Sequence, residues 1–134
     1  MQGLLRLTYF ILFAVTLAVA GGVQAQDYEP QIGDSAVVYI HKFKPAEFEH
    51  ARELVVEGFS DAIEASGQTR RSFFLADPEK SEIVAISFFM KGHSVDEWHD
   101  HVARHEVLEQ LEPLRSAPLV VHQYSVVGHH KTGQ

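Results

Sequence analysis

The stretch 94–114 of the chain, SVDEWHDHVARHEVLEQLEPL, has the start, the periodicity and the end expected of one helix. Ser94 and Glu97 form the S-x-x-E pattern of a capping box, in which each side chain serves a backbone N–H of the first turn. Pro113 ends the pattern, because proline is not tolerated inside a helix. A strand-like segment lies before this stretch and another follows it, so the predicted helix connects two strands.

The inner face of this predicted helix is unusual because it carries aromatic rings. At about 100° per residue, Trp98, His101, Val102 and His105 share one side, whereas His99 points elsewhere, towards solvent. A tryptophan beside two histidines on a face that packs against a sheet makes this helix the first place to look for a functional site.

The amino terminus reads as a targeting segment rather than as part of the fold. Arg6 precedes an apolar run over 7–20, and Val-Gln-Ala before residue 26 has the small-x-small form that signal peptidase cleaves. The alternative is a membrane anchor, but the run is shorter than the ~20 residues that a spanning helix needs. We therefore predict a signal peptide over 1–25, cleaved after Ala25, and a periplasmic or secreted protein.

The remainder, 26–134, is long enough for one small domain. The chain contains no cysteine, which excludes disulfides, thiolate catalysis and cysteine-ligated metals. Its formal net charge is −7, which argues against nucleic acid as a partner and against an anionic membrane surface after signal cleavage. A small-molecule ligand and a second copy of the chain remain as the partners to expect.

Hydrophobic patterning divides this domain into six elements. Four segments rich in β-branched and aromatic residues predict strands, and two segments with helical spacing lie between them. The predicted strands are 36–43, 69–76, 82–90 and 119–127, and the predicted helices are 45–66 and 94–114. The order βαββαβ predicts an α+β, ferredoxin-like fold, with a four-stranded antiparallel sheet and two helices on one face. Because the strands are apolar on both sides, we expect the other sheet face to pack against a second copy in a homodimer.

Candidate ligand-binding residues lie on the first and last strands. Alternation places Tyr39 with His41 on one side of strand one, and His122 with Tyr124 on one side of strand four. Neighbouring strands bring such pairs together, so the four side chains were candidates for a single patch. Together with His101, Trp98 and Phe89, this patch would line a small-molecule pocket. The alternative is ordinary core and interface packing, in which tyrosine and histidine keep one wet end.

A metal site was the second possibility for the helix histidines. His101 and His105 have the i,i+4 spacing that can present two imidazoles to one divalent transition metal. Val102 follows His101 where the HExxH motif has glutamate, so the metalloprotease pattern is absent. We expect no metal, with the pair as the alternative site.

Several of these features together resemble a known family. The EW…H helix with Glu97, Trp98 and His105, the hairpin residues Phe73 and Asp77, and a long first helix resemble the antibiotic biosynthesis monooxygenase (ABM) type of dimeric α/β barrel. The resemblance covers about 36–127. The HKFKP segment at 41–45 is also similar to the first strand of the stress-responsive barrel proteins.

The resemblance implies a cofactor-independent monooxygenase that acts on an aromatic or quinol-type small molecule. Members of the family use an Asn with a Trp; here Trp98 matches, but the chain contains no asparagine. His105 would then be the catalytic proton acceptor or donor beside Trp98. The alternative function is a non-catalytic periplasmic or stress-response protein that binds a small molecule, haem or a metal in the same cavity.

Overall fold

The computed structural model describes residues 29–67, 69–92 and 94–133, together with the backbone but not the side chain of Arg70. The predicted signal peptide at 1–25 lies outside the described residues. Within them, no helix combines the length and the apolarity needed to cross a bilayer.

Four strands form one antiparallel sheet. They are β1 (Ser35–Lys42), β2 (Thr69–Asp77), β3 (Glu82–Phe89) and β4 (Val120–Ser125). Their order in the sheet is β2-β3-β1-β4, and every neighbouring pair is antiparallel. This is the ferredoxin-like arrangement that the βαββαβ order predicts, with β1 and β3 in the centre.

The first helical run, α1 (45–66), changes its winding three times. A 3₁₀ turn over Pro45–Glu47 leads into an α-helix at Phe48–Glu53, a π-helical turn at Leu54–Gly58 and a second α-helix at Phe59–Ser66. Gly67 ends the run in a left-handed conformation at φ 65°, and its N–H bonds to the Ile63 carbonyl, as a C-terminal glycine cap does.

The second helical region differs from the prediction because it is two helices, not one. These are α2 (Val95–His99) and α3 (Val102–Leu111), which a 3₁₀ turn at Glu112–Leu114 follows. His101 between them has extended backbone (φ −66°, ψ 132°), and its Nδ1 accepts the Ala103 N–H at 3.2 Å. A side chain that caps a new helix in this way stops the preceding one. The break rotates α3 relative to α2, so side chains do not keep the faces predicted for a continuous helix.

Strand register decides which side chains meet the helices. In β1, Val37, Tyr39 and His41 are buried on the side that faces the helices, which we call the inner face. Their partners on β3 are Ser87, Ala85 and Ile83, all buried as well. The principal hydrophobic core therefore lies between this inner face and α1, α2 and α3.

The opposite side of the sheet, the outer face, is apolar but uncovered in the single chain. Its side chains alternate with those of the inner face and are half-buried or exposed. They are Ala36, Val38, Ile40, Phe73, Leu75, Val84, Ile86, Phe88, Val120, His122 and Tyr124. Phe73 and Phe88 contact edge to face, with centroids 6.3 Å apart. A contiguous apolar patch of this kind is typical of an interaction surface.

Asp34 ties three chain segments together at one end of the sheet. It is fully buried, and its carboxylate accepts the Gln31 N–H at 2.8 Å and the Lys91 N–H at 3.1 Å. Its backbone carbonyl accepts the Val126 N–H at 2.9 Å. The start of β1, the loop after β3 and the chain after β4 are held at one point.

We expect Asp34→Ala to destabilise the fold by about 2 kcal/mol, because it leaves two half-buried backbone N–H donors without their acceptor. Urea unfolding measures this change. Asp61→Ala on the exposed side of α1 is the matched control and should stay within about 0.5 kcal/mol of the parent. Equal losses for the two variants would show that Asp34 is not a structural anchor.

Candidate functional site

A small cavity lies between the inner face of the sheet and the helices. Its volume is about 20 Å³, which is room for roughly one water molecule. Its lining residues are Tyr39, His41, Phe59, Ile63, Phe74, Ala85, Ser87, Trp98, Arg104, Leu108 and Leu119. An apolar wall that carries a few polar groups is the usual form of a small-molecule site.

Helix α2 places Trp98 in the wall of the cavity. The Ser94 Oγ accepts the Glu97 N–H at 3.3 Å, so half of the predicted capping box is present and fixes where α2 starts. Trp98 follows one turn later, is 2% exposed, and meets Phe59 edge to face at 6.5 Å between ring centroids. Trp98 is the single tryptophan of the chain, so its fluorescence reports on this cavity alone.

Tyr39 and His99 form a proton-transfer pair at the cavity wall. The Tyr39 hydroxyl lies 2.9 Å from His99 Nε2, and the rings meet edge to face. Burial raises the pKa of Tyr39 to about 12, against an opposing effect of the Arg104 guanidinium. Burial also lowers the pKa of His99, and Arg104 lowers it further. At neutral pH the Tyr39 phenol is neutral; when the neutral His99 ring carries its proton on Nδ1, the phenol donates to Nε2 and His99 is the proton acceptor.

A second polar pair joins β1 to the chain after α3. An Nη1–H of Arg115 donates to His41 Nδ1 at 3.1 Å, and His41 stacks on Phe43 with ring centroids 5.9 Å apart. His41 is 1% exposed. Burial, with smaller effects of Arg115 and Arg104, lowers its pKa to about 3. Because Nδ1 accepts, the neutral ring carries its proton on Nε2, which is a hydrogen-bond donor.

Arg104 places a buried cation in the wall. It is 8% exposed, donates an Nη1–H to the His99 carbonyl at 3.0 Å, and lies over the Tyr39 ring at 5.9 Å from the centroid. Burial lowers its pKa, whereas Tyr39 and Asp100 act in the opposite direction. The guanidinium holds the position of both members of the proton-transfer pair.

An open groove of about 470 Å³ lies next to the cavity. Leu108 and Leu119 line both spaces, and Arg115 lines the groove. These two leucine side chains, which we call the partition, thus lie between a cavity with room for about one water molecule and a groove large enough for a ring compound.

The structure brings three of the predicted site residues together at the cavity: Tyr39, His41 and Trp98. Phe89 is fully buried in the core but does not line the cavity.

The predicted four-residue patch on β1 and β4 does not exist. The register pairs Val38 with His122 and Ala36 with Tyr124, so both β4 residues lie on the outer face. Tyr39 and His41 point to the inner face, because side chains at odd and even positions of a strand point to opposite sides. Parity along each strand was right, but parity cannot relate the faces of two strands until their register is known.

The predicted face of the second helix is also wrong. His105 is exposed and lies outside the cavity, and His101 caps α3 instead of lining the pocket. Val102, expected on the same inner face, is 67% exposed. His99, expected in solvent, is the residue that meets Tyr39. The helix break accounts for the changes at His101, Val102 and His105, because residues on its two sides follow different axes, whereas His99 lies before the break in the same helix as Trp98.

Sequence reasoning missed two cations of the site, Arg104 in the cavity wall and Arg115 in the groove beside it, although one of them left a signal. Arg104 precedes Val107 by three residues and Leu111 by seven, which puts it on the buried stripe of α3. A cation on such a stripe is unusual and could have been flagged. Arg115, which follows the 3₁₀ turn, left no comparable signal.

The arrangement offers little to a metal ion or a haem. In the described ranges, no group of three or more His, Asp or Glu side chains is placed to hold a metal. His101 is the N-cap of α3, has extended backbone, and already uses its Nδ1 to accept the Ala103 N–H. A porphyrin does not fit a cavity of about 20 Å³, and His41 in its wall is already engaged by Arg115.

Comparison with solved structures identifies the fold. Rv0793 from Mycobacterium tuberculosis superposes with a TM-score of 0.62 at 15% identity, covering 73% of this chain and 99% of that chain. A Caulobacter crescentus protein described as a candidate antibiotic biosynthesis monooxygenase gives 0.63 at 10% identity, with 72% and 92% covered. A dimeric ferredoxin-like protein of unknown function from Thermobifida fusca gives 0.58 at 14% identity, with 72% and 94% covered.

The chain therefore has the ABM-like, ferredoxin-like fold that the sequence predicted. At these identities the likeness concerns the fold alone. No protein family model matches the sequence. No curated protein sequence matches it either.

The buried, neutral state of His41 predicts a specific pH dependence of stability. The unfolded chain binds a proton near the ordinary pKa of 6.5, whereas the folded chain does so only near 3. Stability is therefore fully present above pH 6.5 and falls as the pH drops towards 3, by at most about 1.4 kcal/mol per pH unit. Lowering the pH from about 7 to about 5 should reduce the free energy of unfolding of the parent by about 2 kcal/mol more than that of His41→Gln. Urea unfolding at the two pH values measures this difference. Parallel curves for the two proteins would contradict this state of His41.

Proposed function

We propose that this protein is an exported, cofactor-independent monooxygenase of the ABM type that acts on an aromatic or quinol-type small molecule. One observation carries the proposal. The Tyr39 hydroxyl stands in the wall of an aromatic cavity and is 2.9 Å from a histidine with a lowered pKa. Such a pair can take a proton from a bound phenol or from an activated ring carbon.

The proton would move in two linked steps. A substrate group gives its proton to the Tyr39 oxygen, while the Tyr39 proton passes to His99 Nε2. Tyrosinate is never formed, which is consistent with a Tyr39 pKa of about 12. His99 is only half-buried, so it can release the proton to solvent.

The ionised substrate is the electron source for O₂ in this proposal. A ring methylene becomes a carbonyl, one oxygen atom enters the product and the other leaves as water. The substrate then supplies all four electrons, so no external reductant is required. Arg104 beside Tyr39 would stabilise the anion that forms before O₂ reacts.

Substrate entry requires the partition to open. The enclosed cavity holds about one water molecule, whereas small-molecule sites usually occupy about 300–1,000 Å³. Displacement of Leu108 and Leu119 would join the cavity to the groove of about 470 Å³ and bring the combined space into that range. A ring would then lie beside Trp98, near the hydroxyl of Tyr39.

Because the chain contains no asparagine, another residue must take the role that an Asn beside a Trp has in members of the family. We assign this role to His99. Its Nε2 already accepts a hydrogen bond at the cavity wall, next to Trp98 in sequence. The assignment of proton transfer thus moves from the exposed His105 to the pair of Tyr39 and His99.

A non-catalytic binding or stress-response protein is the second candidate. The small volume of the closed cavity favours it, because an enzyme site is usually largely preformed. Such a protein would bind an aromatic ligand in the same place and leave it unchanged. In the part of the chain that the structure describes, the cavity lining has no set of residues suited to haem or to a metal ion, so a haem-binding or metal-binding protein is not favoured.

We expect Tyr39→Phe and His99→Gln each to lower turnover by about 10²- to 10⁴-fold, because each removes one half of the proton transfer. Anthrone, which has the ring methylene that the step requires, serves as the probe substrate, with O₂ uptake and isotope-labelled O₂ incorporation as readouts. His105→Ala on the exposed side of α3 is the matched control and should retain parent activity. Ligand binding without O₂ uptake in the parent protein would favour the non-catalytic candidate.

The outer face supports a homodimer. The face is apolar across all four strands, and the similar Thermobifida fusca protein is described as dimeric. Two sheets packed face to face would bury it.

Leu75→Asp tests this packing, because Leu75 is 53% exposed in the single chain and its replacement leaves the core intact. The parent should elute as a dimer in size-exclusion chromatography at micromolar concentration, and Leu75→Asp as a folded monomer. Val102→Asp, which changes an exposed valine of α3, is the control and should remain dimeric. A monomeric parent at that concentration would refute the dimer.

A further inference from the structure

The cavity carries a buried positive charge that makes no hydrogen bond to a carboxylate in the described chain, and the exposed Asp100 offsets only part of it. Arg104 is more than nine-tenths buried and lines the cavity, yet its only hydrogen bond in the described chain goes to the neutral His99 carbonyl. None of the cavity-lining residues is Asp or Glu. Burial of a cation without an anion is unfavourable, and proteins rarely keep one without a use.

A second cation stands on the far side of His41. The Arg115 side chain is 6% exposed and contacts Glu112 at 3.6 Å, but Glu112 is largely in solvent. This carboxylate offsets part of the Arg115 charge. Arg104, which the exposed Asp100 offsets only in part, is the cation that lines the cavity, and it matches a ligand with a single negative charge.

The free donors of these side chains face accessible space. In the described part of the chain, every fully enclosed side-chain nitrogen or oxygen has a hydrogen-bond partner. The remaining N–H groups of Arg104 and the Nε2–H of His41 have no such partner among the described residues, so they are open to accessible space. Both side chains line the same cavity, where an oxyanion could accept from both.

We infer that this pocket binds its ligand as an aromatic monoanion, with a carboxylate or phenolate oxygen between Arg104 and His41. With Leu108 and Leu119 displaced, the ring would lie beside Trp98 and the rest of the ligand would extend into the groove, because the cavity alone has room for only about one water-sized group. This inference rests on the proposed function for the site, but it concerns the charge of the ligand and not its oxidation.

Two matched probes separate charge from shape. Benzoate and benzamide have nearly the same size, and only benzoate is charged at neutral pH. Quenching of Trp98 fluorescence and calorimetry on the full mature protein should show benzoate binding at least about tenfold more tightly, the usual gain from a charge-assisted hydrogen bond. Para-nitrophenol tests whether the site also binds a phenolate. At a pH where the free phenol is mostly neutral, the bound compound should show the colour of the phenolate.

Variants assign the preference to Arg104. Arg104→Gln should lose the preference for benzoate over benzamide, and Arg104→Lys should retain most of it because the charge remains. Arg52→Gln is the control and should keep the preference for benzoate. Arg52 is an exposed arginine of α1 that pairs with Glu49 and does not line the cavity. The melting temperature of the parent should rise with benzoate concentration, and that of Arg104→Gln should not.

Equal affinity for benzoate and benzamide would overturn the inference, and so would failure of benzoate to bind at all. Binding of chloride alone, without benzoate, would likewise overturn it. A protein that prefers benzoate but never consumes O₂ would retain the anion site and lose the oxygenase, so the two proposals fail separately.

Discussion

The alternation of side chains along β1 is the constraint on which the rest of the structure depends. β1 is a central strand, hydrogen-bonded to β3 on one side and β4 on the other. Its inward residues, Val37, Tyr39 and His41, give the core a hydroxyl and an imidazole together with apolar bulk. A shift of one residue in its pairing would send both polar groups to the outer face and remove the site.

Burial of these polar groups requires partners, and the helical side supplies them. Arg115 donates to His41, and His99 accepts from Tyr39. Both contacts join β1 to residues about 60 or 74 positions further along the chain. The same low-dielectric setting that makes the contacts necessary also depresses the pKa of His41 and raises that of Tyr39. Stability and candidate chemistry therefore have one physical origin.

The break between α2 and α3 is what converts ordinary packing into a site. A continuous helix would have presented Trp98 with His101 and His105. The capping contact of His101 instead ends α2 early, leaves His99 beside Tyr39, and turns Arg104 onto the buried side of α3. One local side-chain-to-backbone hydrogen bond, between residues two positions apart, thereby helps to determine which residues of this stretch reach the cavity.

The sequence by itself determined the element order, the ferredoxin-like sheet and the place of Trp98, because these follow from local periodicity, caps and turn residues. It also placed Tyr39 and His41 on one side of β1. It could not relate β1 to β4, and so it joined His122 and Tyr124 to the wrong face. Register is a long-range property, fixed by hydrogen bonds between distant segments. Tertiary structure alone decided that His99 and Arg104 enter the site while His105 stays outside, since a helix break depends on the energy of a cap in its packed surroundings and not on periodicity.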